Sequence, residues 1–177
     1  MRHIITALTI TLISGAVFAE QRHAGSHVHG LNHATIVLEG NRLQIAYEFP
    51  AEQLGEQGHE EHKHEEHGDK AHELSDKLEA IESVFAIVSL PENAQCKETE
   101  VTHSLTQVGG SDTKLEGHHD ALIQVILECR APENLTNLSF EPAFERFDDL
   151  EKIEVEGVME TEALSITLTS LSSSLEL

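Results

Sequence analysis

The chain has 177 residues, of which 32 are acidic and 11 basic, giving a formal net charge of −21. Such an excess of negative charge argues against nucleic acid or anionic lipid as partners and favours cations. Thirteen histidines, in a chain with no Trp and one Tyr, add imidazole to the carboxylates, and this donor set suits Zn²⁺, Ni²⁺ or Cu²⁺.

The amino terminus has the pattern of a secretory signal peptide. Arg2 is followed by an apolar run from Ile4 to Ile13, and Val17-Phe18-Ala19 places small residues at the usual cleavage positions. The run is too short to cross a bilayer. We predict a signal peptide over residues 1–19, cleaved after Ala19 or Glu20, and a periplasmic metal-binding domain over residues 20–177 with no membrane insertion after cleavage.

Residues 34–38 and 43–49 both alternate between apolar and polar, and Gly40-Asn41 between them suits a two-residue turn. In the resulting β-hairpin, facing residues have numbers that sum to 81, so Ile36 lies opposite Ile45 on an apolar face. Extending the first strand backwards gathers four metal donors at one end of the other face: His27, His29, His33 and Glu48. The alternative is that the first two are exposed histidines near a frayed terminus.

Residues 55–70 contain no apolar residue and are rich in His, Glu and Gly, so we predict a mobile loop. Its H-E-E-H spacing differs from the H-E-x-x-H motif of zinc proteases, and no positioned base accompanies it, so we predict that the protein is not an enzyme. A solvated, charged loop is the alternative to metal capture. The density of histidines favours capture by His59, His62, His64, His67 and His72.

From Ala71 the apolar residues fall at helical spacing, which predicts an amphipathic helix over about 71–85. A second hairpin follows, with strands from Cys96 to Gln107 and from His118 to Cys129. If its loop is symmetric, paired numbers sum to 225 and Cys96 faces Cys129, which predicts a disulfide in an oxidising compartment.

The same register places His103, His118 and Asp120 on the face opposite the cysteines, although a single bulge would change this. His118 and Asp120 could equally form a surface ion pair. Farther on, Pro142 to Phe147 predicts a short helix with two core phenylalanines, and residues 151–158 and 164–169 alternate like strands. The predicted fold is α+β, with a mainly antiparallel sheet of about six strands, one amphipathic helix and one short helix.

Several motifs, in this order and spacing, resemble the ZrgA family of zinc-regulated periplasmic zinc-binding proteins, which are associated with zinc uptake. They cover most of the mature chain: His27-Val-His-Gly30, Leu38-Glu-Gly-Asn41, Glu48-Phe-Pro-Ala51 with Leu54, His118-x-Asp120 leading to Leu127-Glu-Cys129, and Phe144-Glu-Arg-Phe147 with Leu150-Glu-Lys-Ile-Glu-Val155.

The resemblance implies an ordered zinc site at His27, His29, His59 and His118, with Asp120 nearby, and a His-rich loop over residues 62–72. It implies a periplasmic zinc-binding protein that assists zinc uptake and works with a periplasmic or inner-membrane zinc transport system. The alternative is a passive periplasmic buffer for zinc, nickel or copper. His33, Glu48 and His103 are secondary candidates for ligands.

Overall fold

The computed structural model describes residues 30–55, 69–108, 118–159 and 162–177. The strands are β1 (Leu31–Glu39), β2 (Arg42–Pro50), β3 (Cys96–Val108), β4 (His118–Cys129), β5 (Asn137–Ser139), β6 (Lys152–Met159), β7 (Glu162–Thr169) and β8 (Ser174–Glu176). The helices are α1 (Asp69–Glu79) and α2 (Glu141–Arg146). Six strands form one sheet in the order β3-β4-β2-β1-β6-β7, and β5 pairs with β8 in a second, two-stranded sheet.

The β1–β2 hairpin has the predicted register, with Ile36 opposite Ile45 and His33 opposite Glu48. Gly40 begins the turn with a φ of +58°, a left-handed conformation that costs glycine little. The alternation places Ile36 and Ile45 in the core, while His33 and Glu48 lie on the other face of the sheet. The short turn and the apolar alternation both specify this register, which places Ile36, Leu43 and Ile45 together in the core.

The β3–β4 hairpin confirms the disulfide and corrects the register beyond it. Cys96 lies opposite Cys129 and the two form a disulfide. Their separation of 33 residues gives a stabilisation of about 3 to 4 kcal/mol in the chain-entropy model. A β-bulge between Glu98 and Glu100 then shifts the pairing by one residue, so that His103 pairs with Ile123.

The six-stranded sheet is mixed, which corrects the prediction of a mainly antiparallel sheet. β6 runs parallel to β1, whereas the other neighbouring strands of this sheet are antiparallel. The chain crosses from β4 through β5 and α2 before it returns beside β1 in the same direction. Gly157 permits the close approach of β6, because a Cβ there would overlap the carbonyl oxygen of Ile36. Neither the parallel pairing of β6 nor its close approach at Gly157 can be predicted from the alternation of apolar and polar residues along a strand.

One face of the sheet, which we call the covered face, packs against the helices and 3-10 turns. Helix α1 ends at Glu79, short of the predicted residue 85, and a separate 3-10 turn spans Val84–Ala86. Leu78 and Ile81 are buried as expected, but Phe85 is 43% exposed because the helix has ended before it. The predicted short helix is present as α2, with Phe147 in the core and Phe144 partly buried against it.

Tyr47 lies at the centre of the core on the covered face. Its ring stacks near Phe140 and Phe147, with centroid separations of 6.2 and 6.4 Å, and Phe49 lies 5.6 Å away. These rings join β2 to the segment around α2, so burial of their large apolar areas fixes the crossover against the sheet. The opposite face of the sheet, which we call the open face, carries exposed and half-buried residues along β1 and β2.

Candidate metal-binding site on the open face

A small hollow of about 80 Å³ lies on the open face where β2, β1 and β6 run side by side. Its titratable lining residues are His33 on β1, Glu48 on β2, and Glu154 and Glu156 on β6. Side chains alternate between the two faces along a strand. Each of these four residues is next in sequence to a buried apolar residue, so its side chain lies on the opposite, open face. The antiparallel and parallel registers that meet at β1 therefore bring an imidazole and three carboxylates around one depression.

His33 is the central residue of this group. It pairs with Glu48 across the antiparallel ladder and with Glu154 across the parallel one. Its Nδ1 atom lies 3.5 Å from Oε2 of Glu154, and both side chains are partly exposed. A cation that enters from solvent can therefore reach the imidazole and this carboxylate together.

Asp120 also lies on the open face, next to this group. It is half-buried and pairs with Pro50, the residue two positions beyond Glu48 on β2. His118 is the first residue of β4 and pairs with Val108. The side chain of His118 lies outside the described part, so the structure places only its position on the strand.

His103 lies on the covered face, contrary to the prediction that it shares a face with Asp120. The bulge on β3 inserts one residue and turns His103 to the side of the cysteines. Its Nε2 atom is 2.8 Å from the carbonyl oxygen of Ile81, the residue that follows the end of α1 by two positions. Glu98, on the same face, accepts hydrogen bonds from Val84 N–H and Ser83 Oγ at 2.6 and 3.0 Å. Both side chains hold the segment after α1 against β3.

A buried polar group on the covered face was missed by sequence reasoning. Asn32 is fully buried, and its Nδ2 donates hydrogen bonds to Tyr47 Oη at 2.7 Å and to Gln53 Oε1 at 3.0 Å. Burial raises the pKa of Tyr47 strongly, and the hydrogen bond from Asn32 opposes part of that rise. The signal in the sequence was the position of Asn32. It lies two residues before Ala34 and four before Ile36, which places all three on the apolar side of β1.

His72, predicted to capture metal, lies on α1 and is largely exposed. Its Nδ1 is 3.2 Å from Oδ1 of Asp76, one helical turn along. A hydrogen bond to its own backbone and then the negative charge of Asp76 raise the pKa of His72. Because imidazole must lose its proton to bind zinc, this environment works against His72 as a ligand at mildly acidic pH.

The remaining predicted ligands lie outside the described residues. They are His27, His29, His59, His62, His64 and His67. Within residues 30–55, 69–108, 118–159 and 162–177, no three His, Cys, Asp or Glu side chains are arranged to hold a metal ion. The same part of the chain has no helix that is both long and apolar enough to cross a membrane.

Comparison with known proteins gives one family. The family model described as "ZrgA family zinc uptake protein" matches residues 26–177, which is most of the chain, while no curated protein matches it. The match spans the open-face group around His33, the disulfide and all the described strands. It points to a role in zinc uptake and to an association with zinc ions. The chain belongs to the ZrgA family of zinc uptake proteins.

Proposed function

We propose that the protein binds zinc ions in the periplasm at an ordered site on the open face and assists their uptake. The observation that carries the proposal is the pairing of His33 with Glu154 at 3.5 Å. Two ligands of a tetrahedral zinc ion, each about 2.0 to 2.1 Å from the metal, lie about 3.4 Å apart. The two atoms therefore already stand at about the separation that a shared zinc ion requires.

Other donors would complete this site. Glu48 lines the same hollow and faces His33 across the hairpin, and Asp120 lies near it on the same face. The family resemblance implies His27, His29, His59 and His118 as further ligands, of which the first two precede β1 on the chain. Imidazole and carboxylate together form a ligand set typical of zinc.

We propose that the His-rich segment, residues 62–72, gathers ions for the ordered site. Several weak sites close to a tight one raise the local ion concentration, as in other cases of multivalent binding. The proposal includes delivery to a periplasmic or inner-membrane zinc transport system and assigns the chain no catalytic step. The negative charge of the chain would speed the arrival of cations.

The experiment is a zinc titration with a competing chelator at pH 7.5 on the purified protein, on His33→Ala and on a variant lacking residues 60–67, which keeps His59. The deletion ends before Asp69, so that α1 stays intact. We expect His33→Ala to weaken the tight site about tenfold or more, and the deletion to remove only weak sites. Tight binding that is unchanged in His33→Ala would exclude the open-face site.

Two further measurements test the role. Zinc affinity should fall as the pH drops through the ordinary pKa of histidine, near 6.5, because protons compete for imidazole. Cells lacking an uptake protein should grow poorly in zinc-poor medium, whereas cells lacking a passive buffer should suffer in metal-rich medium. Sensitivity confined to excess metal would favour the buffer.

A further inference from the structure

Strand β7 forms one edge of the six-stranded sheet, and β6 is its one neighbour among the described strands. The N–H and C=O groups of Thr169 bond to Ser172, and the N–H of Lys152, its partner on β6, bonds to Gly30 on the other side. Thr169 therefore directs these groups away from β6. Because hydrogen-bonded and non-bonded pairs alternate along an antiparallel ladder, the N–H and C=O groups of Thr167, Ser165 and Ala163 also point away from β6. These three residues present a row of donors and acceptors along the outer edge, where the described part of the chain places no further strand.

This edge lacks the features that keep edge strands from pairing. Residues 163–175 contain no charged side chain and no proline, although a quarter of the whole chain is charged. Ile166, in the middle of the strand, is 40% exposed. The other edge, β3, carries Lys97, Glu98 and Glu100 and a bulge, which are common devices against edge-to-edge association.

We propose that β7 pairs with β7 of a second copy, antiparallel about a two-fold axis at Ser165, so that two sheets become one. In this register Ser165 faces its own copy and Ala163 faces Thr167. Every outward N–H and C=O group of the three residues then gains a partner. A register shifted to centre on Ile166 would instead set Ala163 against Thr169, whose groups already bond to Ser172.

The side chains agree with the same register. Leu164 lies opposite Ile166 of the second copy in a non-hydrogen-bonded pair, where side chains approach closely, so the exposed isoleucine becomes covered. Glu162 lies opposite Leu168, so no carboxylate faces another across the new ladder. The interface is isologous, which closes the assembly at two copies. Each copy carries a charge of −21, so salt should strengthen the pairing by screening repulsion.

The first test is sedimentation equilibrium of the purified protein over a hundredfold concentration range at low and high salt. We expect dimers whose fraction rises with salt. Ser165→Pro removes an outward N–H without breaking a bond to β6, and Ile166→Lys places like charges near the axis. Each should weaken association at least tenfold, whereas Leu171→Lys, at a residue 98% exposed outside β7, should not. Circular dichroism would confirm that the variants fold.

A second test does not depend on disruptive substitutions. Ser165→Cys places two thiols at the axis within disulfide reach, whereas two Thr167→Cys thiols would stand about 14 Å apart along the ladder. Mild oxidation should therefore cross-link the first variant and not the second, because the native cysteines are already bonded to each other. A monomer at every concentration and salt, or equal cross-linking of the two cysteine variants, would overturn the proposal.

Discussion

The two faces of the six-stranded sheet differ in what surrounds their polar side chains. On the covered face, Asn32, Glu98 and His103 hydrogen-bond to buried or half-buried groups of the chain. On the open face, His33 and Glu48 border a hollow that solvent can enter. His103 and His33 therefore differ in chemistry. His103 is held by the backbone carbonyl of Ile81, whereas His33 lies beside carboxylates that could bind a cation together with it.

The largest expected difference between the faces is in stability, and neighbouring residues of β2 test it. Ile45→Ala should lower the free energy of unfolding by about 2 to 5 kcal/mol, because it leaves a cavity in the core. Gln44→Ala, on the open face, should stay within about 0.5 kcal/mol. Urea unfolding followed by circular dichroism measures both. Equal losses would mean that the open face is also packed, as it would be in a sandwiched sheet.

The buried polar group on the covered face should have the next largest effect. Asn32→Ala leaves the hydroxyl of Tyr47 and the amide oxygen of Gln53 without their shared donor, which should cost about 1 to 3 kcal/mol. The same unfolding measurement on Thr35→Ala, an exposed residue of β1, supplies the control. A loss no greater than that of the control would show that Asn32 adds nothing to the stability of the core.

His103 and His33 should separate stability from metal binding. His103→Ala should lower the free energy of unfolding by about 1 kcal/mol through the lost bond to Ile81, and leave zinc affinity unchanged. His33→Ala should weaken zinc binding and change stability little, since the residue is partly exposed. Unfolding curves and chelator competition on both variants give the four values. Weaker zinc binding in His103→Ala alone would reverse the assignment of the faces.

The smallest expected effect is at His72, which lies on neither face of the sheet. Its pKa is raised, so the folded state favours the protonated imidazole. The resulting stabilisation is present below the ordinary histidine pKa and is lost as the pH rises through the folded value. Asp76→Asn should lower the pKa of His72, as an NMR titration of the ring protons would measure. An unchanged pKa would mean that Asp76 contributes nothing.

Local patterns predicted the parts of the fold that local contacts determine. The β1–β2 register is confirmed, because a short turn and an apolar alternation specify that hairpin. The pairing of Cys96 with Cys129 is confirmed as well. The bulge that turns His103 inward and the parallel placement of β6 beside β1 were not predictable. Both depend on packing between distant segments, and the alternation of a strand is the same in either direction.

The candidate site was predictable to a similar extent. His33 and Glu48 were brought together correctly by the hairpin register. Glu154 was missed, since its position beside His33 depends on the parallel pairing of β1 with β6. The ligands implied by the family resemblance, His27, His29, His59 and His118, stay predictions, as does the capture role of the His-rich segment.

Tyr47 gives the protein an optical property. It is the single tyrosine of a chain with no tryptophan, so the intrinsic ultraviolet fluorescence arises almost wholly from one buried ring. Glu48, the next residue in the chain, lines the open-face hollow. His33 also lines it and follows Asn32, which donates the hydrogen bond to the Tyr47 hydroxyl. An ion held there is expected to change the emission of Tyr47. The fluorescence of the native chain can therefore report binding at the open-face hollow without any label.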